Sequence, residues 1–97
     1  MIVLTATKEK LMLKLTIDWA TDDEGPDALV QIVAREVQST LNDKVTLVAV
    51  HDRANAWPEV TLLADTRMDL ADWLEDSGYV VENTDDVEFY VNMAVAV

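Results

Sequence analysis

The segment MDLADWLEDSGY, residues 68–79, gathers Asp69, Asp72, Glu75 and Asp76 with no base among them. Carboxylates this dense can bind a cation, carry out acid–base chemistry, or present a negative surface. On a helix at 100° per residue, Leu70, Ala71 and Leu74 share one side, with Trp73 at its border, and the four acids spread over the other. Neighbouring acids then sit about 5 Å apart along the axis and point away from one another. A magnesium or calcium ion needs oxygens that converge, so no metal site is expected here. DDEGPD, residues 22–27, also lacks the Asp-x-Asp-x-Asp-Gly order of a calcium loop.

General acid–base catalysis needs a carboxyl group in an apolar or buried setting that raises its pKa. The pattern puts none of these acids in such a place. His51 is the sole histidine, at a strand end beside Asp52. There is no Gly-x-Ser-x-Gly elbow and no phosphate-binding glycine loop. A non-enzymatic protein without cofactor is expected.

The third use of the acids remains. As a plain solvated face, the stripe gives solubility. As an ordered array, it can occupy a basic nucleic-acid channel in place of DNA, which shows one negative charge per about 1.7 Å of axis. The repeat along the helix is coarser than that, so the mimic needs Asp85 and Asp86 of the NTDD segment, and the TDDEG loop, to contribute. A virus or mobile element could encode such an inhibitor.

Composition supports a charge-driven partner. The 97 residues carry 19 acids against 7 bases, a net charge of −12. From Ala54 onward ten acids face Arg67 alone, so the negative potential concentrates in the C-terminal half. Direct binding to nucleic acid or to an anionic membrane is disfavoured, and attraction to a basic protein or a nucleic-acid-processing complex is favoured. There is no cysteine, which excludes disulfides and thiolate metal sites. The N-terminal MIVLTATKEK shows neither a signal-peptide pattern nor a membrane span, so a cytoplasmic protein is expected.

The elements that must hold the acids in place read as one α+β domain over residues 1–97. KLMLKLTIDW alternates strictly, with Leu11, Leu13, Leu15, Ile17 and Trp19 on one face of a strand. IVLT, residues 2–5, adds a short strand before it. Pro26 or Asp27 starts a helix in which Leu29, Ile32, Val33, Val37 and Leu41 recur at helical spacing, ending at Asn42-Asp43. KVTLVAVH and EVTLLA are strands. Thr66 caps the acidic helix, with Asp69 three residues on, and Gly78 stops it. GYVVE opens a further strand, NTDD turns, and VEFYVNMAVAV alternates again, with Val87, Phe89, Val91, Met93, Val95 and Val97 on one face. This order predicts a ferredoxin-like βαββαβ sandwich: an antiparallel sheet with two helices on one face and room for extra short strands at both ends.

Two further surfaces can bind. Trp57, beside Pro58 in the loop DRANAWP, is either an anchor for a partner or a cap folded onto the sheet. Trp19 and Trp73 belong in the core. The long apolar last strand, if it lies at an edge, can pair with a second copy and make a homodimer, or seat the chain in a larger assembly. The element order and the turn before the first helix, DDEGPDALVQIV, resemble small-ligand-sensing ACT domains, which carry Asp-x-Pro-Gly there; Gly25-Pro26 is the reverse order. The resemblance covers that turn and the element order. It implies a ligand-sensing or regulatory homodimer in which Asp23 to Asp27 and a strand edge matter.

Overall fold

The computed structural model describes residues 12–22, 28–79 and 84–97, with side chains from residue 87 on in the last stretch. The elements run β1 (Leu13–Asp18), α1 (Leu29–Gln38), β2 (Val45–His51), β3 (Glu59–Ala64), α2 (Arg67–Asp76), α3 (Thr84–Met93) and β4 (Val95–Ala96). The strands form one antiparallel sheet in the order β2-β3-β1-β4. Among the described residues the fold is α+β, with four strands and three helices. The order β1α1β2β3α2 resembles a ferredoxin-like arrangement without matching it.

The alternation read from the sequence sets the faces of the sheet. Leu15 of β1 and Val60, Leu62 and Ala64 of β3 are fully or almost fully buried, as are Ile17 and Val45. Register pairs them across strands, Leu15 with Leu62 and Ile17 with Val60, so one face is continuous and apolar. Val33 and Val37 of α1, Leu70, Trp73 and Leu74 of α2, and Val87 and Val91 of α3 join the same cluster. The opposite face carries Lys14, Thr16, Thr61 and the exposed Thr46. In β2, Val48 is passed over between Leu47 and Ala49, a bulge that leaves it half exposed. Such an insertion bends and twists an edge strand.

α1 has no side-chain cap at Ala28, and its expected start at Pro26-Asp27 lies outside the described residues, as do IVLT and Leu11. It ends earlier than expected, at Gln38. The Ser39 amide donates to the Arg35 carbonyl and the Thr40 amide to that of Val37. Asn42 turns the chain into β2 instead, its Oδ1 accepting from the amides of Lys44 and Val45. α2 begins as expected: the Thr66 hydroxyl accepts from the Asp69 amide at 3.1 Å. It ends at Ser77 and Gly78, whose φ of 81° is the left-handed conformation glycine adopts freely.

The C-terminal quarter departs from the sequence reading. Gly78 and Tyr79 lie in a turn rather than a strand, and the rest of that expected strand falls outside the described residues. Thr84, Asp85 and Asp86 are not a turn but the start of α3, and the alternating VEFYVNM is helix. Only Val95–Ala96 is strand, paired with Leu13 and Lys14. The segment satisfies both periods: Val87, Tyr90, Val91 and Ala94 recur at i, i+3, i+4 and i+7 as well. These four pack against the core, whereas Phe89 and Met93 are exposed. Two acids in the first turn also suit the positive end of a helix. A homodimer through a long terminal strand therefore loses the element it was built on.

Candidate functional site

α2 presents its acids as the sequence pattern requires. Asp72, Glu75 and Asp76 are exposed, and Asp69 is half buried beside its cap. Trp73, expected at the border of the apolar side and in the core, is fully buried, its indole N–H donating to the Thr40 hydroxyl at 3.0 Å. The acids stand at like-charge spacing: Asp69–Asp72 and Asp72–Glu75 at i,i+3, and Asp72–Asp76 at i,i+4. Each such pair destabilises a helix by about 0.2–0.5 kcal/mol. Glu75 and Asp76 also occupy the last turn, where the macrodipole is negative and no base is present. α1 differs, with Arg35 in its last turn.

The stripe borders a groove. α2 packs on α3, and Arg67 donates from its guanidinium to the Asn92 side-chain oxygen across the two helices. Between them lies an open depression of about 480 Å³ with Ala71, Val87 and Val91 among its apolar lining residues. Asp72 and Glu75 of α2 and Glu88 of α3 line it too, as does Met68, which is 72% exposed. The result is a largely apolar groove bordered by acids from both helices, with Arg67 at its lining as well.

The other expected contact residues are distributed differently. Asp85 and Asp86 fall in the first turn of α3, and their side chains lie outside the described set. Trp57 is 45% exposed on the β2–β3 loop and lines a separate shallow depression with Leu29, Asn55 and Ala56. Its carbonyl accepts from Arg53 Nε, and Arg53 also pairs with Asp18 and Glu59. His51 is exposed at the end of β2.

A second site escaped the sequence reading. A cleft of about 500 Å³ opens between the end of β1, α1 and the C-terminal turn of α2, lined by Trp19, Thr21, Asp22, Glu36, Gly78 and Tyr79 among others. The half-buried Glu36 accepts from the Trp19 indole N–H at 3.0 Å through Oε1, and from the Thr21 hydroxyl at 2.5 Å through Oε2. The signal was present in the helical pattern: at 100° per residue Glu36 falls between Ile32 and Val33, inside the apolar stripe of α1. A row of rings runs past the cleft, Trp73–Trp19–Tyr79–Tyr90–Phe89, with successive centroids 5.1–6.1 Å apart. The Tyr79 hydroxyl donates to the Asp18 carbonyl at 2.8 Å. Burial, reinforced by Tyr90, holds the Tyr79 phenol well above its ordinary pKa.

Among the described residues no group of three or more His, Cys, Asp or Glu side chains is arranged to hold a metal ion. Among them too, no helix is long and apolar enough to cross a membrane. Comparison with protein-family models, with curated proteins and with solved structures finds no match to this chain.

Proposed function

We propose that this chain is a non-enzymatic protein-binding module whose α2 face docks onto a basic surface of another protein. Its most concrete form is an inhibitor that occupies the nucleic-acid-binding surface of a nucleic-acid-processing protein. The observation that carries the reading is the placement of Asp72, Glu75 and Asp76. Asp72 repels both Glu75 and Asp76, and those two oppose the helix dipole, so local stability argues against every one of them. Solubility alone is served equally well by the same charges dispersed over the surface. Residues that break a local rule tend to mark functional surface. The groove beside them gives a basic partner apolar contact as well as charge, the combination that interface cores use. In the same reading the fold is a ferredoxin-like variant in which α3 takes most of the place of the final strand.

The test is capture of a partner by the immobilised chain from its host lysate, at low and then moderate salt, beside the variant Asp72→Lys/Glu75→Lys/Asp76→Lys. Asp69 is left intact because it belongs to the cap. The reading expects a basic nucleic-acid-binding protein, displaced by added DNA or RNA and absent with the folded triple variant. Equal capture by both proteins would overturn it.

A second reading, a small-molecule-responsive module, draws on the Trp19–Glu36 cleft. A ligand that binds only the folded state raises the unfolding midpoint.

A further inference from the structure

We propose that the cleft beside Trp19 binds an organic cation of the ammonium or guanidinium class, with Glu36 as its counter-ion. This names a ligand class for the small-molecule reading and is independent of the acidic stripe on α2.

Charge complementarity selects the class. The Glu36 carboxylate is half buried, yet its two partners, the Trp19 indole and the Thr21 hydroxyl, are neutral. Among the described residues, the ion pairs are those of Arg53 with Asp18 and Glu59, so Glu36 has no cation of its own there. A carboxylate withdrawn from water without a counter-charge is held at a cost, and an incoming cation relieves it. Each carboxylate oxygen accepts more than one hydrogen bond, so both keep capacity for a ligand donor. Asp22, exposed on the rim, adds a second negative charge. Ser77 and Gly78 bring the C-terminal end of α2, and no base in the last turn offsets its negative dipole.

Shape and surface chemistry narrow the class further. The half-buried Tyr79 ring lines the cleft, while Trp19, 8% exposed between Trp73 and Tyr79, turns its N–H edge to Glu36. Aromatic faces attract ammonium and guanidinium groups and give little to a strongly hydrated metal ion. The volume of about 500 Å³ is in the range of small-ligand sites and admits a molecule or an extended side chain. No Lys, Arg or His is among the described lining residues.

The guanidinium can belong to a free small molecule or to an arginine of a protein partner. Agmatine and N-acetyl-argininamide present the same group from these two sources, and N-acetyl-citrullinamide is the neutral isostere. The readout is the Trp19 indole N–H signal in a ¹⁵N–¹H spectrum, one of three such signals the chain gives. Saturable displacement of that signal by agmatine or by the argininamide is expected, with citrullinamide inert. Tighter agmatine binding identifies a free cation, and tighter argininamide binding a partner's side chain. Glu36→Gln should weaken binding at least about tenfold, because a charged hydrogen-bond partner is lost. Asp22→Asn, at an exposed site outside the core, should weaken it about two- to threefold. Asp72→Lys alone, which alters the acidic face but leaves the last turn of α2 without a base, should bind as the parent does, which separates this inference from the acidic-face reading. Equal displacement by citrullinamide, unchanged affinity in folded Glu36→Gln, or no saturation by about 10 mM of either cation would overturn the proposal.

Discussion

Asp18 and Glu59 stand directly opposite each other across the β1–β3 ladder, two carboxylates in register, and the Arg53 guanidinium reaches both. It meets Asp18 at 3.1 Å and Glu59 at 3.4 Å. Like charges directly opposite destabilise a sheet. Here one cation from the β2–β3 loop turns that repulsion into a bridge and holds the Trp57 carbonyl as well.

Replacing that cation tests the arrangement. Arg53→Met should lower stability by about 0.5–1 kcal/mol, a figure held down by the exposure of all three side chains. Adding Glu59→Thr should recover most of the loss, because the remaining carboxylate then has no like-charged neighbour in register. Urea unfolding of the two single variants and the double variant gives the coupling. Additive losses would mean the bridge does not operate.

The acidic helix should become more stable as it loses its charge pattern. Asp76→Lys places a cation at the negative end of α2 and removes the repulsion with Asp72, for a gain of about 0.3–1 kcal/mol at low salt. Added salt should shrink that gain. If urea midpoints fall instead, Asp76 makes a contact that its exposed position does not suggest.

Tyr79 predicts a loss of stability in alkali. Its phenol titrates higher in the folded chain than in the unfolded one, where it loses its proton near pH 10. Above that pH the folded state binds the extra proton, so unfolding stability falls as pH rises. Below about pH 10 the stabilisation is fully present. Tyr79→Phe should flatten this decline between pH 9 and 11 relative to the parent chain, as read from urea midpoints. An equally steep decline in both would assign it to other groups.

α3 yields a test that a strand would fail. Val91→Ala should cost about 2 kcal/mol, since the side chain is 5% exposed and packed in the core. Phe89→Ser should change stability by about 0.5 kcal/mol or less, since that ring is 62% exposed. A strand would put Val87, Phe89 and Val91 on one face and make the two losses similar. Thermal or urea unfolding of both variants distinguishes the cases.

The contrast between α3 and the other elements shows where the sequence was legible. β1 and β3 alternate over six residues with one face wholly apolar, which admits one period only. α2 carried Thr66 and Gly78 as chemical start and stop signals, and both act as their chemistry requires. The segment from Thr84 to Met93 is rich in residues that suit strands and fits both periods, so propensity pointed the wrong way. Packing against α2 and β1 decided it. The exposed acids of α2 were legible because an amphipathic helix sorts them unaided. The cleft was not, because Trp19, Glu36 and Tyr79 come from three separate segments that only the tertiary fold brings together. Glu36, a lone charge within an apolar stripe, was its one local trace.

The sheet closes on its shortest strand. Val95 pairs with Lys14, and the Val97 amide donates to the Met12 carbonyl, so this ladder joins the two far ends of the described chain. By contrast β2 and β3 are joined by a short loop and share seven-residue and six-residue strands. Contacts between neighbours in sequence form readily, whereas distant ones must first overcome a long loop closure. Assembly outward from the β2–β3 hairpin, with Val95 pairing last, is the order these closures predict. In the finished protein the order reverses: amide exchange should be fastest at Val95 and Val97 and slowest at Leu62, so the molecule opens first at the place where it closed last.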